Sequence, residues 1–368
     1  MARAEVNFER DVHCVMGLPI DAIDMAGAVQ RVREAAFSNT RCFISTPNLN
    51  FVMAARDDAE FRSSVLRSDL CLADGMPLVW VARLLGIPIP ERVSGAGLFE
   101  ELLKHAGPPI KVYFFGGPDG AAESASRKVN ETKGGMDCVG WDAPGFGTVE
   151  QLSTDAHIEK INQSGAHFVI VSLGAKKGQA WIEHNLGRLR PPVICHLGAV
   201  VNFAAGTVQR APRWIQAIGA EWLWRIKEEP ALWRRYSGDA RALIRTFVAE
   251  VGPAAFRRFL QSSADNCKVS PSTVVSKDGQ RVVLSLSGNW TYVDIKRLRD
   301  LFHDLYASGA SVDLNLARVT HFDSHCLGLL VLAFGAFSPP RELKLRDPSP
   351  SLVADIRQAG AGYSLKVG

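Results

Sequence analysis

Lys111–Asn130 reads KVYFFGGPDGAAESASRKVN, and its three parts decide the fold class. KVYFF is a short apolar run with the β-branched and aromatic content of a buried strand. GGPDG is turn chemistry, and the following AAESASRKVN is a helix former with its small apolar residues on one side. The same succession recurs on either side. Arg41–Thr46 (RCFIST) leads into a helix after Pro47, and Leu70–Ala73 (LCLA) leads through Asp74-Gly75 into Pro77–Leu85. His167–Ser172 (HFVIVS) leads through Leu173–Gly178 into Gln179–Leu189, and Pro192–His196 (PVICH) leads into another turn. Apolar runs alternating with helices predict a doubly wound, Rossmann-like α/β fold around a mostly parallel sheet. Ligands of such sheets sit at the carboxyl ends of the strands, where these turns fall.

The composition frames that reading. The 368 residues suffice for two domains; 47% of them are hydrophobic, 22% charged, and the net charge is +4. Such a balance fits a globular protein and does not argue for nucleic-acid binding. Seven scattered cysteines form no Cys-x-x-Cys pair, so the expectation is buried free thiols in a reducing cytosol rather than a zinc or redox motif. The first ten residues lack the apolar core of a signal peptide, and no apolar run reaches the roughly 18 residues of a spanning helix, so any membrane contact is expected to be peripheral. A doubly wound domain over residues 1–209, a helical basic appendage over 210–260, a polar linker over 261–277 (QSSADNCKVSPSTVVSK) and a smaller α/β domain over 278–368 are expected.

Three turns carry polar groups suited to chemistry. Asp74 follows a buried strand, and Gly75 lets the backbone bend and a substrate approach the carboxylate. Two readings are open: a general base taking a proton from a sugar hydroxyl, or a cap for the helix that starts near Pro77. Thr46 and Asn48 present a hydroxyl and an amide at the end of the preceding strand, yet both are also good helix starters. Gly116-Gly117 at a helix start suits backbone N–H donation to a diphosphate. That turn is neither G-x-G-x-x-G nor a Walker loop, which argues against a nicotinamide oxidoreductase or a nucleotide hydrolase. Asp57-Asp58, the one adjacent acidic pair weighed as a cation site, is read as a solvated helix face, so no metal is expected.

Arg213–Tyr236 (RWIQAIGAEWLWRIKEEPALWRRY) holds four of the eight tryptophans, with Trp214, Ile218, Trp222 and Ile226 along one helix side and Arg225, Lys227, Arg234 and Arg235 around them. The stripe suits an interfacial helix on anionic lipid, and equally a helix packed on the sheet with solvated arginines.

Taken in order, these pieces resemble the WecG/TagA/CpsF family of bacterial glycosyltransferases over roughly residues 13–250. The resemblance rests on Thr46-Pro47-Asn48, Ala73-Asp74-Gly75, Glu91-Arg92-Val93-Ser94-Gly95, Gly206 with Arg210-Ala211-Pro212, and Glu221–Arg225 followed by Glu229-Pro230 and Arg234-Arg235-Tyr236. It implies inverting, metal- and cofactor-independent transfer of a hexose or N-acetylhexosamine from a UDP-sugar to a polyprenyl-diphosphate-linked saccharide. This is a step of surface polysaccharide synthesis at the cytoplasmic face of a bacterial membrane. Asp74 is then the base, and Thr46, Asn48, Gly75, Arg92, Gly116, Gly117, Lys177, Gln179, Asn202 and Arg210 bind substrate. Arg225, Arg234 and Arg235 meet the membrane and the leaving diphosphate. The chain departs from the family pattern at Gly97, where aspartate is usual, in Gly174–Gln179, which lacks the usual Pro, Gln and Glu, and at Val201-Asn202 in place of Phe-Asp. Gln179 is taken as a stand-in for the lost glutamine.

Arg281–Val367 is similar to STAS domains of the anti-sigma-factor-antagonist type, through Val312–Leu316, Val319-Thr320-His321-Phe322-Asp323-Ser324 and the Leu-Gly helix that follows. Ser324 aligns with the serine such proteins present for phosphorylation; the other reading is that it caps the helix. The resemblance implies a docking or regulatory domain with a protein partner, and homo-oligomerisation is compatible with it. The alternative to an active transferase is a catalytically weak scaffold acting through this domain.

Overall fold

A computed structural model describes residues 6–198, 200–206, 211–212, scattered positions between 215 and 256 including 221–228, and then 270–278, 281–337 and 339–367. Two compact units do not follow chain order. One comprises Ile23–Met76 and Glu91–Arg241; the other gathers Val6–Ala22, Pro77–Pro90 and Ala242–Gly368.

The chain opens with a hairpin of the second unit, β1 (Val12–Val15) and β2 (Leu18–Asp21). The first unit follows with α1 (Met25–Ser38), β3 (Cys42–Ser45), α2 (Leu49–Asp57), α3 (Ala59–Leu66), β4 (Leu70–Cys71), α4 (Met76–Leu85, which runs on into the second unit) and α5 (Gly95–Lys104). It continues through β5 (Ile110–Gly116), α6 (Ala121–Thr132), β6 (Met136–Asp142), α7 (Asp155–Gln163), β7 (Phe168–Ser172), α8 (Ala175–Asn185), β8 (Val193–His196), α9 (Val200–Ala205) and α10 (Glu221–Glu228).

The six strands of the first unit form one parallel sheet in the order β4-β3-β8-β7-β5-β6. Period-two alternation feeds two cores. Ile110, Val112 and Phe114 point to one side, with Ile44, Ile170 and Cys195, against α1, α5, α6 and α9. Tyr113 and Phe115 point to the other, with Phe43, Val169 and Ile194, against Ile158 and Ile161 of α7 and Trp181 of α8. Burial on both faces is why these strands read as continuous apolar runs. The α/β fold is as expected.

The second unit adds β9 (Ser272–Asp278), β10 (Arg281–Trp290), α11 (Ile295–Ala307), β11 (Ser311–Phe322), α12 (Ser324–Ala336), β12 (Leu343–Arg346), α13 (Pro350–Gln358) and α14 (Gly362–Leu365). Its sheet runs β12-β11-β10-β9, parallel except for the antiparallel edge strand β9. β9 lies largely inside the stretch expected as a linker. Its Val274 and Val275 are exposed, so the strand shows no apolar alternation and its Ser, Lys and Asp content resembles a loop.

α12 is buried along almost its whole length and circumference because the β1–β2 hairpin packs on it. A Cβ on Gly328 would lie 2.7 Å from Val12 O, so glycine sets the closeness of helix and strand. The hairpin turn, Met16-Gly17, has both residues at positive φ as a two-residue type I′ turn requires, and it is pinned by Gly17 N–H to Ala359 O (2.9 Å) and by Ser364 Oγ to Gly17 O (2.7 Å).

Of the cysteines, Cys14, Cys42, Cys71, Cys195 and Cys326 are buried and in no disulfide, Cys138 is half-buried and likewise unbridged, and Cys267 lies outside the described residues. No described helix is long and apolar enough to cross a membrane.

Candidate active site

Three sequence motifs are laced together at the carboxyl edge of the large sheet. β3 and β4 pair through Ser45 and Cys71, and the pairing runs on beyond the strands: Leu72 N–H donates to Ser45 O and Asp74 N–H to Pro47 O, both at 2.9 Å. On the other side Val93 N–H donates to Ala73 O at 3.0 Å. The Thr-Pro-Asn, Ala-Asp-Gly and Arg-Val-Ser-Gly segments therefore lie side by side. Glycine permits the fit: a Cβ on Gly75 would sit 3.2 Å from Asn48 Cα, and one on Gly95 would meet Leu197 Cδ2 at 2.4 Å and Thr46 Cγ2 at 3.5 Å.

The side chains divide their work. Asp74 is half-buried, and α4 begins at Met76, so Gly75 rather than Asp74 immediately precedes the helix. Burial raises the Cys195 thiol well above its ordinary pKa, and the Cys42 and Asp74 charges add to this, so the carboxylate is felt at the end of β8. Thr46 is buried beside Gly95. Asn48 caps α2, accepting from Phe51 N–H at 3.2 Å with its carbonyl oxygen, which keeps its NH2 end as the donor available to a ligand. Arg92 forms a half-buried ion pair with Glu221 of α10 at 2.8 Å, joining two of the motifs that carry the resemblance. Gly97 donates its N–H to the cap Ser94 Oγ at 3.1 Å and is buried, with no side chain where the family pattern has aspartate.

A second group lies at the ends of β5, β7 and β8. Gly116 and Gly117 have φ of 88° and 98°, accessible mainly to glycine, and an added Cβ would meet Ser172 O from Gly116 and Val201 Cγ1 from Gly117. Asn202 follows Val201 on α9 and is half-buried. Leu197 ties the two groups together, donating to Val171 O and lying against Gly95.

Other expected ligand contacts are absorbed by the fold. Gln179 is fully buried: its Oε1 accepts from Ser64 Oγ at 2.9 Å and its Nε2 donates to Ser45 Oγ at 2.8 Å. It fastens α8 to α3 and β3 instead of facing a ligand. Lys177 donates to Gly147 O at 2.8 Å. Asp58 is no open helix face, because it breaks α2 from α3, caps α3 through Glu60 and Phe61 N–H, and pairs with Lys176 at 3.2 Å. The Phe61 N–H bond, assisted by Lys176, holds its carboxyl below the usual aspartate range. Arg210, Arg234 and Arg235 lie outside the described residues; Arg225 falls on α10, but its side chain lies outside them. Of the proposed apolar stripe, Ile226 is half-buried, while Trp214, Ile218 and the Trp222 side chain lie outside the described residues.

His196 escaped the sequence reading. It closes β8, and its Nε2 donates to Leu173 O at 2.6 Å, which leaves Nδ1 as a lone-pair acceptor, buried and without a hydrogen-bond partner among the described residues. Burial holds the imidazole below its usual pKa, so it is neutral near pH 7. A Cβ on Gly178 would lie 2.2 Å from His196 Cδ2, so the lost glutamine and this histidine occupy one space. Gly178→Gln should gain about 1 kcal/mol of helix propensity, yet the overlap costs about 1–3 kcal/mol and the ring is pinned at Nε2. A lower denaturation midpoint is expected for Gly178→Gln, and a raised one when His196→Gly is added, both read by urea denaturation.

In the second unit Asp323, not Ser324, caps α12, accepting from Cys326 N–H at 2.8 Å. Ser324 is the first helical residue, and its hydroxyl lies 3.0 Å from His13 Nδ1.

Residues 13–255 match the glycosyl transferase WecG/TagA/CpsF family. The chain belongs to that family. Residues 273–365 match the MlaB-type STAS domain. An N-acetylglucosaminyldiphosphoundecaprenol N-acetyl-beta-D-mannosaminyltransferase of Bacillus spizizenii strain W23 is 29% identical over 199 residues, 54% of this chain and 75% of that protein. The protein of the same description in Bacillus subtilis strain 168 is 27% identical over 194 residues, 52% and 73% of the two chains. The WecG/TagA/CpsF member described here is thus a glycosyltransferase that carries a STAS domain after its transferase fold.

Proposed function

We propose that the protein moves a hexose or N-acetylhexosamine from a UDP-sugar to a saccharide carried on a polyprenyl diphosphate, with inversion and with no metal or other cofactor in the transfer step. The observation that carries the reading is the lacing of the Thr46-Pro47-Asn48 and Arg92–Gly95 segments around Ala73-Asp74-Gly75. The acceptor hydroxyl oxygen attacks the anomeric carbon from the face opposite UDP. Its proton passes to the Asp74 carboxylate, and the sugar–phosphate C–O bond breaks with its electron pair leaving on UDP. Thr46 and the Asn48 amide orient the sugars, and Gly116-Gly117 backbone N–H groups receive the diphosphate. Guanidinium groups of Arg225, Arg234 and Arg235 balance its growing charge. The Bacillus relatives, described as N-acetyl-beta-D-mannosaminyltransferases acting on N-acetylglucosaminyldiphosphoundecaprenol, support the acceptor class and an N-acetylhexosamine as the transferred sugar. Transfer of radiolabel from a panel of UDP-sugars to an undecaprenyl-diphosphate-linked N-acetylglucosamine tests the reading. Label in the lipid product from at least one donor is expected, and no transfer from any donor would favour the regulatory scaffold.

The same reading places the protein at an anionic membrane face through its Trp/Arg-rich segment, in which Leu223 and Trp233 are more than half exposed. Neutralising Arg225, Arg234 and Arg235 together is expected to reduce flotation with anionic liposomes by at least about tenfold, at roughly 1 kcal/mol for each basic residue. Unchanged flotation would return the segment to a packing role. In the STAS domain, Ser324 at the start of α12 is proposed as a phosphate acceptor that alters a partner surface, helped by the helix dipole.

A further inference from the structure

The hairpin and α12 bring together Asp11, His13 and His325, the one group of three such residues among the described residues whose ligand atoms all lie within 4.8 Å of one another. Asp11 Oδ1 is 3.2 Å from His325 Nε2 and 3.7 Å from His13 Nε2, and the two rings stand 4.7 Å apart. Two ligands bound tetrahedrally at about 2.0–2.1 Å from a zinc ion lie about 3.3–3.4 Å apart, so both measured edges fit one ion with little movement. The histidines are buried, while Asp11 is largely exposed on the rim, which gives the ion a way in and a solvent-facing fourth position.

The surroundings favour the ligand form of His13. Its Nδ1 lies 3.0 Å from Ser324 Oγ, and a proton donated there leaves the Nε2 lone pair aimed at Asp11. An imidazole fixed through its second nitrogen is the usual arrangement of a metal-bound histidine. Burial, reinforced by His325, lowers the His13 pKa to about 4, and burial lowers that of His325, so both rings are neutral near pH 7. One cationic group already faces the cluster: Arg299 Nη2 lies 3.2 Å from His325 Nε2 and also donates to Arg10 O at 2.8 Å. An entering ion displaces it from the ring while the Arg10 bond can persist.

We propose that Asp11, His13 and His325 form a binding site for one divalent transition-metal ion of the zinc type, completed by water, which clips the N-terminal hairpin to α12. Two imidazoles and one carboxylate suit such an ion better than calcium or magnesium, which take all-oxygen ligand sets.

The test uses the full chain freed of metal by a chelator and titrated with Zn²⁺ in a calorimeter, with Co²⁺ as a spectroscopic probe. One zinc per chain is expected. Asp11→Asn and His325→Gln should each weaken it by about 100-fold or more, since even losing a supporting partner of a ligand costs about 10–100-fold. The cobalt form should show visible d–d bands without the near-ultraviolet charge-transfer band of a thiolate ligand. Asp11 is exposed, so Asp11→Asn decides the matter if His325→Gln does not fold. Absence of stoichiometric zinc, unchanged affinity in Asp11→Asn, or a thiolate band from the cysteines would each overturn the proposal.

Discussion

Asp74→Asn is expected to reduce sugar transfer by about 10²–10⁴-fold, the usual contribution of a positioned general base, with little change in the denaturation midpoint. The substitution separates the two roles open to this residue. Asparagine caps a helix about as well as aspartate, so a capping role would survive the exchange with activity intact. Moreover, α4 begins at Met76, one residue too late for Asp74 to hold the cap position. What asparagine cannot do is accept a proton from an attacking hydroxyl. The backbone bond from Asp74 N–H to Pro47 O and the Gly75–Asn48 approach do not involve the carboxylate, so the loop should keep its shape. The loss should therefore fall on kcat, with UDP-sugar affinity nearly unchanged. Transfer at the wild-type rate in Asp74→Asn would remove Asp74 from the chemistry while leaving the family assignment untouched.

The parts of this molecule that were legible in its sequence share a physical cause. Strands such as β5 and β7 are covered on both faces, so their central residues, Val112–Phe115 and Phe168–Val171, are all apolar or aromatic and the run stands out whatever its surroundings. The site motifs could be placed because a parallel α/β sheet sends every strand-end turn to the same edge. What stayed hidden depends on partners far away in the chain. The four-residue strands of the β1–β2 hairpin are closed by Met-Gly instead of the stronger Asn-Gly signal, and their burial comes from α12, about 310 residues later. His196 looked like the end of an apolar run, and Gly178 like a missing glutamine; only the fold shows that the imidazole fills the space a side chain at 178 would need. A histidine at a strand's carboxyl end, in a fold whose chemistry lies there, was the available signal. Gln179 misled for the opposite reason. Its motif suggested a ligand contact, but Ser45 on β3 and the neighbouring Ser64 and Ser68, all far from it in sequence, close a buried network around it.

The hairpin also holds the site of the largest expected stability loss. Arg10, just before β1, meets Asp21, the last residue of β2, through two parallel bonds, Nε to Oδ1 at 3.0 Å and Nη2 to Oδ2 at 2.6 Å, and both side chains are less than a tenth exposed. The pair closes the open end of the hairpin opposite the Met16-Gly17 turn. Asp21→Ala would leave a guanidinium buried without its carboxylate, at a cost of about 3–5 kcal/mol. That is a large share of the roughly 5–15 kcal/mol of a typical domain, so the denaturation midpoint of the second unit should fall steeply. Pairing Asp21→Leu with Arg10→Met separates this explanation from simple loss of packing. Removing both charges also removes their desolvation cost, so the double variant should regain most of the lost stability, because buried ion pairs replaced by apolar residues of similar size are often neutral. If the double variant were as unstable as Asp21→Ala, the bidentate geometry itself would be holding the hairpin closed.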